Sequence, residues 1–209
     1  RGGIKPPHTK TTADYETVKM PLPEKIVIPM LQHIGAPCVP VVKKGERVLA
    51  GQKIGSSEAM ISAPIHSSVS GIVNDIRPIL FPGGFEVTSI EIKPDGLQEV
   101  DGSVTPHLNL PKEETLAKIR ESGVVGLGGA GFPTSVKLSP PPGKEVDILI
   151  INGAECEPYI TSDYREMIEN PRGILEGTNV VMELTGIKKA FVGIEKNKPQ
   201  AIKIISTLS

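Results

Sequence analysis

The sequence predicts an all-β unit followed by an α/β unit with a parallel sheet. Three observations carry that expectation. Between residues 24 and 93, short β-rich runs alternate with glycine and proline turns. From residue 113 onward, helix-spaced segments alternate with short apolar runs. Between them, residues 96–112 gather turn signals (Gly96, Asp101-Gly102, Pro106, Pro111) and read as a linker. The expected domains are therefore 1–95, which includes an N-terminal extension, and 113–209.

Composition narrows the function classes. The formal net charge is −1 over 209 residues, so nucleic acid is not an expected partner. Aromatic content is 3% with no Trp, which leaves few platforms for stacking bases. No apolar run approaches a membrane span, so direct membrane insertion is not expected. No signal-peptide pattern is present, and a cytosolic context is the default expectation. Cys38 and Cys156 are the only cysteines, too few for an iron–sulfur cluster that takes four. The chain opens on Arg and ends at Ala201–Ser209 inside a helical pattern without a stop signal. An N-terminal fragment is the expectation.

In the first domain the expected strands are Lys25–Ile28, Cys38–Val42, Arg47–Leu49, Gly71–Ile76 and Glu86–Ile92. Turns fall at Lys44-Gly45, Ala50-Gly51 and Pro82-Gly-Gly84. In the second, Glu113–Ser122 has helical spacing at Leu116, Ile119 and Arg120, with Gly123 as its stop. Val146–Ile151 reads as a buried strand, a helix follows from about Gly173, and Ala190–Ile194 reads as the next strand. Strand, helix and strand with that crossover imply a parallel pair.

The glycine run Gly126-Leu-Gly-Gly-Ala-Gly131 is followed by Phe132-Pro-Thr-Ser-Val-Lys137. Gly126, Gly128 and Gly131 match G-x-G-x-x-G. A dinucleotide fingerprint, however, follows a strand, and this run follows a helix. An anion nest is the better expectation, because close approach of backbone N–H groups to a phosphate needs residues without Cβ. Lys137 adds positive charge. Past the second domain's first strand comes Asn152-Gly-Ala-Glu-Cys-Glu-Pro158. Polar groups beyond the carboxyl end of a parallel strand are where open α/β sheets bind ligands. Asn152 offers both donor and acceptor. Glu155 and Glu157 both face a ligand if the segment is extended; in a turn, one is free to meet a helix N-terminus or a basic residue. Cys156, between two carboxylates, reads as a packing residue. His33 and His66 lie in unrelated turns and read as hydrogen-bonded structural residues rather than metal ligands. His8 and His107 carry no signal.

Here the chain resembles a known family. The glycine run with Lys137, followed by Asn152–Pro158, is similar to the flavin-binding region of the RnfC family and, more distantly, to the NADH-binding flavoprotein subunit of respiratory complex I. Arg1-Gly-Gly-Ile-Lys-Pro-Pro-His8, Gln32–Pro37 and Ser62–Gly71 extend the resemblance in the same order. The first domain also resembles a biotinyl/lipoyl carrier, a barrel-sandwich hybrid. Yet Ile61 stands where a carrier has its modified lysine, and no lysine occurs between Lys53 and Lys93. A structural or docking module without a swinging arm is expected.

The resemblance implies an NADH-dependent flavin oxidoreductase subunit, with FMN and NAD(H) as cofactors and [4Fe-4S] clusters in a carboxyl-terminal part absent from these residues. It implies the other Rnf subunits as partners, ferredoxin indirectly, and a peripheral place on the cytoplasmic side of the membrane. By motif, Gly126, Gly128, Gly129 and Gly131 cradle the FMN and Lys137 faces its phosphate. Asn152 contacts the flavin or its ribityl chain, and Phe132 stacks on the dinucleotide. Glu155 and Glu157 line the flavin and nicotinamide pocket, with Glu157 the catalytic residue. Ala154 departs from the complex I pattern, which has Asp there. These residues alone are expected to be inactive. Two other readings stay open: a soluble electron-transfer protein serving a substrate reductase, and a scaffold that has lost its cofactor.

Overall fold

A computed structural model describes residues 3, 4, 7, 9–106, 110–141 and 143–209. His8, His107 and part of the amino-terminal motif lie outside the described residues. The chain divides into two compact units that are not consecutive in sequence: Pro21–Pro142, and the stretch before Pro21 together with Gly143–Ser209.

The first unit is built from short antiparallel strands. A four-stranded sheet runs β1 (Ile26–Pro29), β7 (Glu86–Pro94), β6 (Gly71–Leu80), β3 (Arg47–Val48). A three-stranded sheet runs β2 (Val39–Pro40), β4 (Lys53–Ser56), β5 (Ile65–His66). Period-two alternation turns one face of each strand inward. Met30, Val48, Ile54, Val73, Ile90 and Ile92 are all but fully buried there, joined by Ile28, Cys38, Val42, Ile65 and Val69. β6 runs on to Leu80, past the expected end at Ile76 and through Pro78. Beyond Val73, which still bonds Glu46 C=O and Gly45 N–H, the strand's only backbone partner among the described residues is β7, so a proline without an N–H sits on a free edge. Gly83 and Gly84 close the β6–β7 hairpin with φ of +115° and +80°. Two helices complete the unit, α1 (Lys112–Glu121) and the single turn α2 (Thr134–Lys137).

The second unit holds a parallel pair, β8 (Ile148–Gly153) and β9 (Lys189–Ile194), in register from Ile148 opposite Lys189 to Gly153 opposite Ile194. Between them run α3 (Ser162–Glu169) and α4 (Pro171–Thr185); α5 (Pro199–Leu208) follows. α4 begins two residues before the expected Gly173. Asn170 caps it by accepting from Gly173 N–H at 3.2 Å, and Pro171 fills the first helical position, where its missing N–H costs nothing. Gly186, at φ +77°, ends it. The strand expected to be buried is half-buried on one face and exposed on the other, and only Gly153 at its end is fully buried. Gly153 backs onto α3, since a Cβ there would lie 3.2 Å from Met167 Sδ. Ile148, Ile150 and Phe191 point the other way and are exposed. All-parallel sheets usually bury both faces, and in the described residues this one does not.

Candidate functional site

The glycine loop is fastened at its feet and open at its crown. α1 stops at Gly123, which takes φ +69°. Val125 then bridges Pro133, Gly126 N–H donates to Phe132 C=O at 2.9 Å, and Thr134 N–H donates to Val124 C=O at 3.0 Å. These bonds close a loop whose crown, Leu127–Ala130, is exposed. A Cβ at Gly128 or Gly129 would meet nothing within 4 Å, so a ligand has room to approach the backbone. Lys137 stands beside the near foot: its Nζ lies 3.8 Å from where a Gly126 Cβ would be. Among the described residues its ammonium has no hydrogen bond or ion pair, unlike that of Lys10 or Lys53. Gly131 has a different task. Its φ is +64°, and a Cβ would meet Gln32 C=O and His33 Cα at 2.9 Å. Ile34 N–H donates to Ala130 C=O at 3.0 Å. The loop is thus seated on the Gln32–Pro37 segment, a sequence-remote motif. Phe132 is half-buried behind it.

The carboxylate loop is built the opposite way, from side chains. Glu155 and Glu157 diverge. Glu155 is 1% exposed; its Oε1 accepts from Asp163 N–H at 2.7 Å in the first turn of α3, whose own N-cap Thr161 makes no side-chain capping bond. A carboxylate there satisfies an orphan donor and meets the positive end of the helix. Its Oε2 lies 3.3 Å from Lys198 Nζ and 3.5 Å from Lys10 Nζ. Lys198 also pairs with Glu195 at 3.1 Å, and that ammonium holds the Glu195 carboxyl below the usual range. Burial, then the neighbouring Glu155 charge, pushes the Asp163 carboxyl up. Glu157 is exposed on the same loop, as is Cys156. Asn152 Oδ1 accepts from Ala154 N–H at 3.1 Å, a local turn that fixes the end of β8.

Lys10, Lys198 and Glu195 escaped the sequence reading. Lys10 lies two residues past the Arg1–His8 motif, in a segment that carries no signal of its own, and Lys198 reads as one of many surface lysines before a helix.

The segment between β4 and β5, where a carrier would present its lysine, is clamped. Arg120 of α1 donates to Ala59 C=O at 2.8 Å and Met60 C=O at 3.2 Å. Ile61 C=O accepts from Ala36 N–H at 3.0 Å. His33 is buried with Nε2 3.2 Å from Ala63 N and Nδ1 3.1 Å from Ile34 O. Burial, then Lys53, lowers the His66 pKa, and burial pushes the Cys38 thiol up. Among the described residues no group of three or more His, Cys, Asp or Glu could hold a metal ion.

A β unit that carries both a clamped hairpin and a bare glycine loop, and a second unit built on a parallel strand pair, make this a barrel-sandwich hybrid followed by an α/β domain. Residues 1–97 match the RnfC barrel-sandwich hybrid domain, and residues 119–208 match the Nuo51 FMN-binding domain. The chain belongs to the RnfC family. It is 49% identical, over 97% of its length, to a subunit of the proton-translocating ferredoxin:NAD(+) oxidoreductase complex of Clostridium ljungdahlii. It is 42% identical, over 98%, to a subunit of the Na(+)-translocating ferredoxin:NAD(+) oxidoreductase complex of Acetobacterium woodii. It is also 42% identical, over 99%, to a subunit of the ion-translocating oxidoreductase complex of Rhodobacter capsulatus. The chain spans 45%, 47% and 41% of those relatives, less than half of each.

Proposed function

We propose that the whole protein is the NADH-oxidising or NAD-reducing subunit of an ion-translocating ferredoxin:NAD oxidoreductase. Electrons pass between NAD(H) and ferredoxin through FMN and iron–sulfur clusters carried outside these residues. The observation that supports this most is the glycine loop, with open Gly128 and Gly129 and an uncommitted Lys137 ammonium. Backbone N–H groups that need no reorganisation, plus a point charge, suit a phosphate. Gly126, Gly128 and Gly129 would hold the FMN phosphate with Lys137, and Gly131 would seat the loop. Asn152 would face the flavin or its ribityl chain, and Phe132 the dinucleotide. Bound FMN supplies the exchange between two-electron hydride chemistry and one-electron transfer. Glu157, solvent-facing in the loop after β8, orients the nicotinamide side, while Glu155 stays buried and holds the loop that carries it.

In this reading residues 1–95 are a docking module toward the other subunits, 96–112 a linker, and 113–209 part of the flavin domain. Among the described residues no helix is long and apolar enough to cross a membrane. Peripheral attachment on the cytoplasmic side, through the partner subunits, follows from the reading. The test is direct. The purified whole protein should release FMN on acid treatment, and anaerobic NADH should bleach its flavin absorbance. Protein without flavin, or flavin that NADH leaves oxidised, would overturn the proposal.

A further inference from the structure

The loop from Ala154 to Ile160 lies between β8 and α3 and pairs with no strand among the described residues. Its carbonyls therefore need another partner. They find it in one atom. Lys10 Nζ donates to Ile160 C=O at 2.6 Å, Glu157 C=O at 2.7 Å and Glu155 C=O at 3.0 Å. An ammonium has three N–H donors, and all three are used on this loop. The Glu155 carboxylate, at 3.5 Å, balances the charge. The rest of the amino-terminal segment is bound to the same place. Thr12 Oγ1 meets Thr161 Oγ1 at 2.6 Å, Ala13 C=O accepts from Arg165 Nη1 at 3.1 Å, and Thr17 N–H donates to Glu169 at 2.9 Å. Residues 10–17 thus form a strap across the approach to α3.

The consequence falls on Glu157. Its carbonyl is one of the three Lys10 ligands, so its backbone is fixed while its side chain stays in solvent. Glu155, two residues earlier, is locked beneath. We infer that Lys10 is a positioning residue for the NAD(H) reaction, acting through the Glu157 backbone and touching no reacting atom itself. This rests on the role given to Glu157 above. The strap lies about 150 residues from the loop in sequence, and without its ammonium the Glu157 carbonyl loses its hydrogen bond, leaving Glu155, two residues away, as the nearest anchor.

The experiment uses the whole, flavin-replete protein and compares Lys10→Met, Lys10→Gln, Lys10→Arg, Glu157→Gln and the Lys10→Met/Glu157→Gln double variant. Flavin content and NADH-dependent reduction of an artificial acceptor are read for each. Lys10→Met and Lys10→Gln should keep their flavin and lose about ten- to hundredfold in kcat/KM for NADH, the scale of a misplaced orienting group. Lys10→Arg should recover part of that loss, because it keeps the charge. The double variant should be no worse than Glu157→Gln alone, since one residue acts through the other. Normal kinetics in Lys10→Met beside an impaired Glu157→Gln would overturn the inference, and so would losses that multiply in the double variant. Loss of flavin or of the folded signal in both neutral variants would make Lys10 a structural staple and overturn it too. A normal Glu157→Gln would be a different failure: it removes the role of Glu157, and this inference with it.

Discussion

The glycine loop and the carboxylate loop solve the same problem in opposite ways. Both must hold irregular backbone at the end of regular structure. The loop at 126–131 does so with main-chain bonds at its feet, leaving Gly128 and Gly129 bare and, among the described residues, Lys137 unengaged. The loop at 154–160 does so with buried charges: Glu155 on the α3 N-terminus, and Lys10 and Lys198 around it. Backbone fastening leaves donors free for a ligand. Side-chain fastening consumes Glu155 and frees Glu157. The first loop is thus suited to binding, and the second to carrying one exposed group in a fixed place.

The largest effect expected from this contrast is on stability. Glu155→Ala leaves Lys198 buried with Glu195 alone and removes the α3 contact. It should cost about 3 kcal/mol, the low end for a broken buried pair because one carboxylate remains. Glu157→Gln should change stability by less than about 0.5 kcal/mol, as exposed substitutions do. The chain has no Trp, and its three tyrosines, Tyr15, Tyr159 and Tyr164, all lie in the second unit. Tyrosine fluorescence in a urea titration therefore reports that unit. Equal midpoints for the two variants would erase the contrast.

A smaller effect concerns the strap. The Thr17 N–H and the Arg165 guanidinium hold the Glu169 carboxyl at about 2, against an ordinary 4.5. The folded value is depressed, so the docking contribution is complete above the ordinary value and is lost as pH falls from there through about 2. The Thr17 amide resonance should titrate with a midpoint near 2. A midpoint near 4.5 would mean that the strap is not held by Glu169.

Much of this was legible in the chain. β8 and β9 announced themselves through apolar runs and α4 through its helical pattern from about Gly173, whereas its Asn170 cap, its Pro171 start and its Gly186 stop went unread. The bare glycine run was equally plain, since its chemistry is local. α3 was not legible, because its cap is Glu155, eight residues before Asp163, rather than the adjacent Thr161. The sequence left both fates of Glu155 open, ligand-facing or turned to a helix, and its surroundings place it on the helix. Lys10 was beyond reach for the same reason: a contact across roughly 150 residues leaves no periodicity. Gly131 matched a phosphate motif, yet its positive φ and its closeness to Gln32 show that seating the loop alone requires glycine. Residues 113–142 are grouped differently by family and by packing. The family match joins 119–208, whereas packing groups the chain up to Pro142 with the β unit.

The division of labour between the loops is tested most directly by flavin content in two variants of the whole protein. Lys137→Ala removes one charge-assisted contact, which is worth about 1.5–3 kcal/mol, roughly a ten- to hundredfold loss of FMN affinity. Glu157→Gln should retain its FMN fully and lose NADH turnover instead. Titrating each apoprotein with FMN by fluorescence quenching gives the answer. The account predicts weakened FMN binding in Lys137→Ala and unchanged binding in Glu157→Gln. Full FMN affinity in Lys137→Ala, or flavin loss in Glu157→Gln, would contradict it.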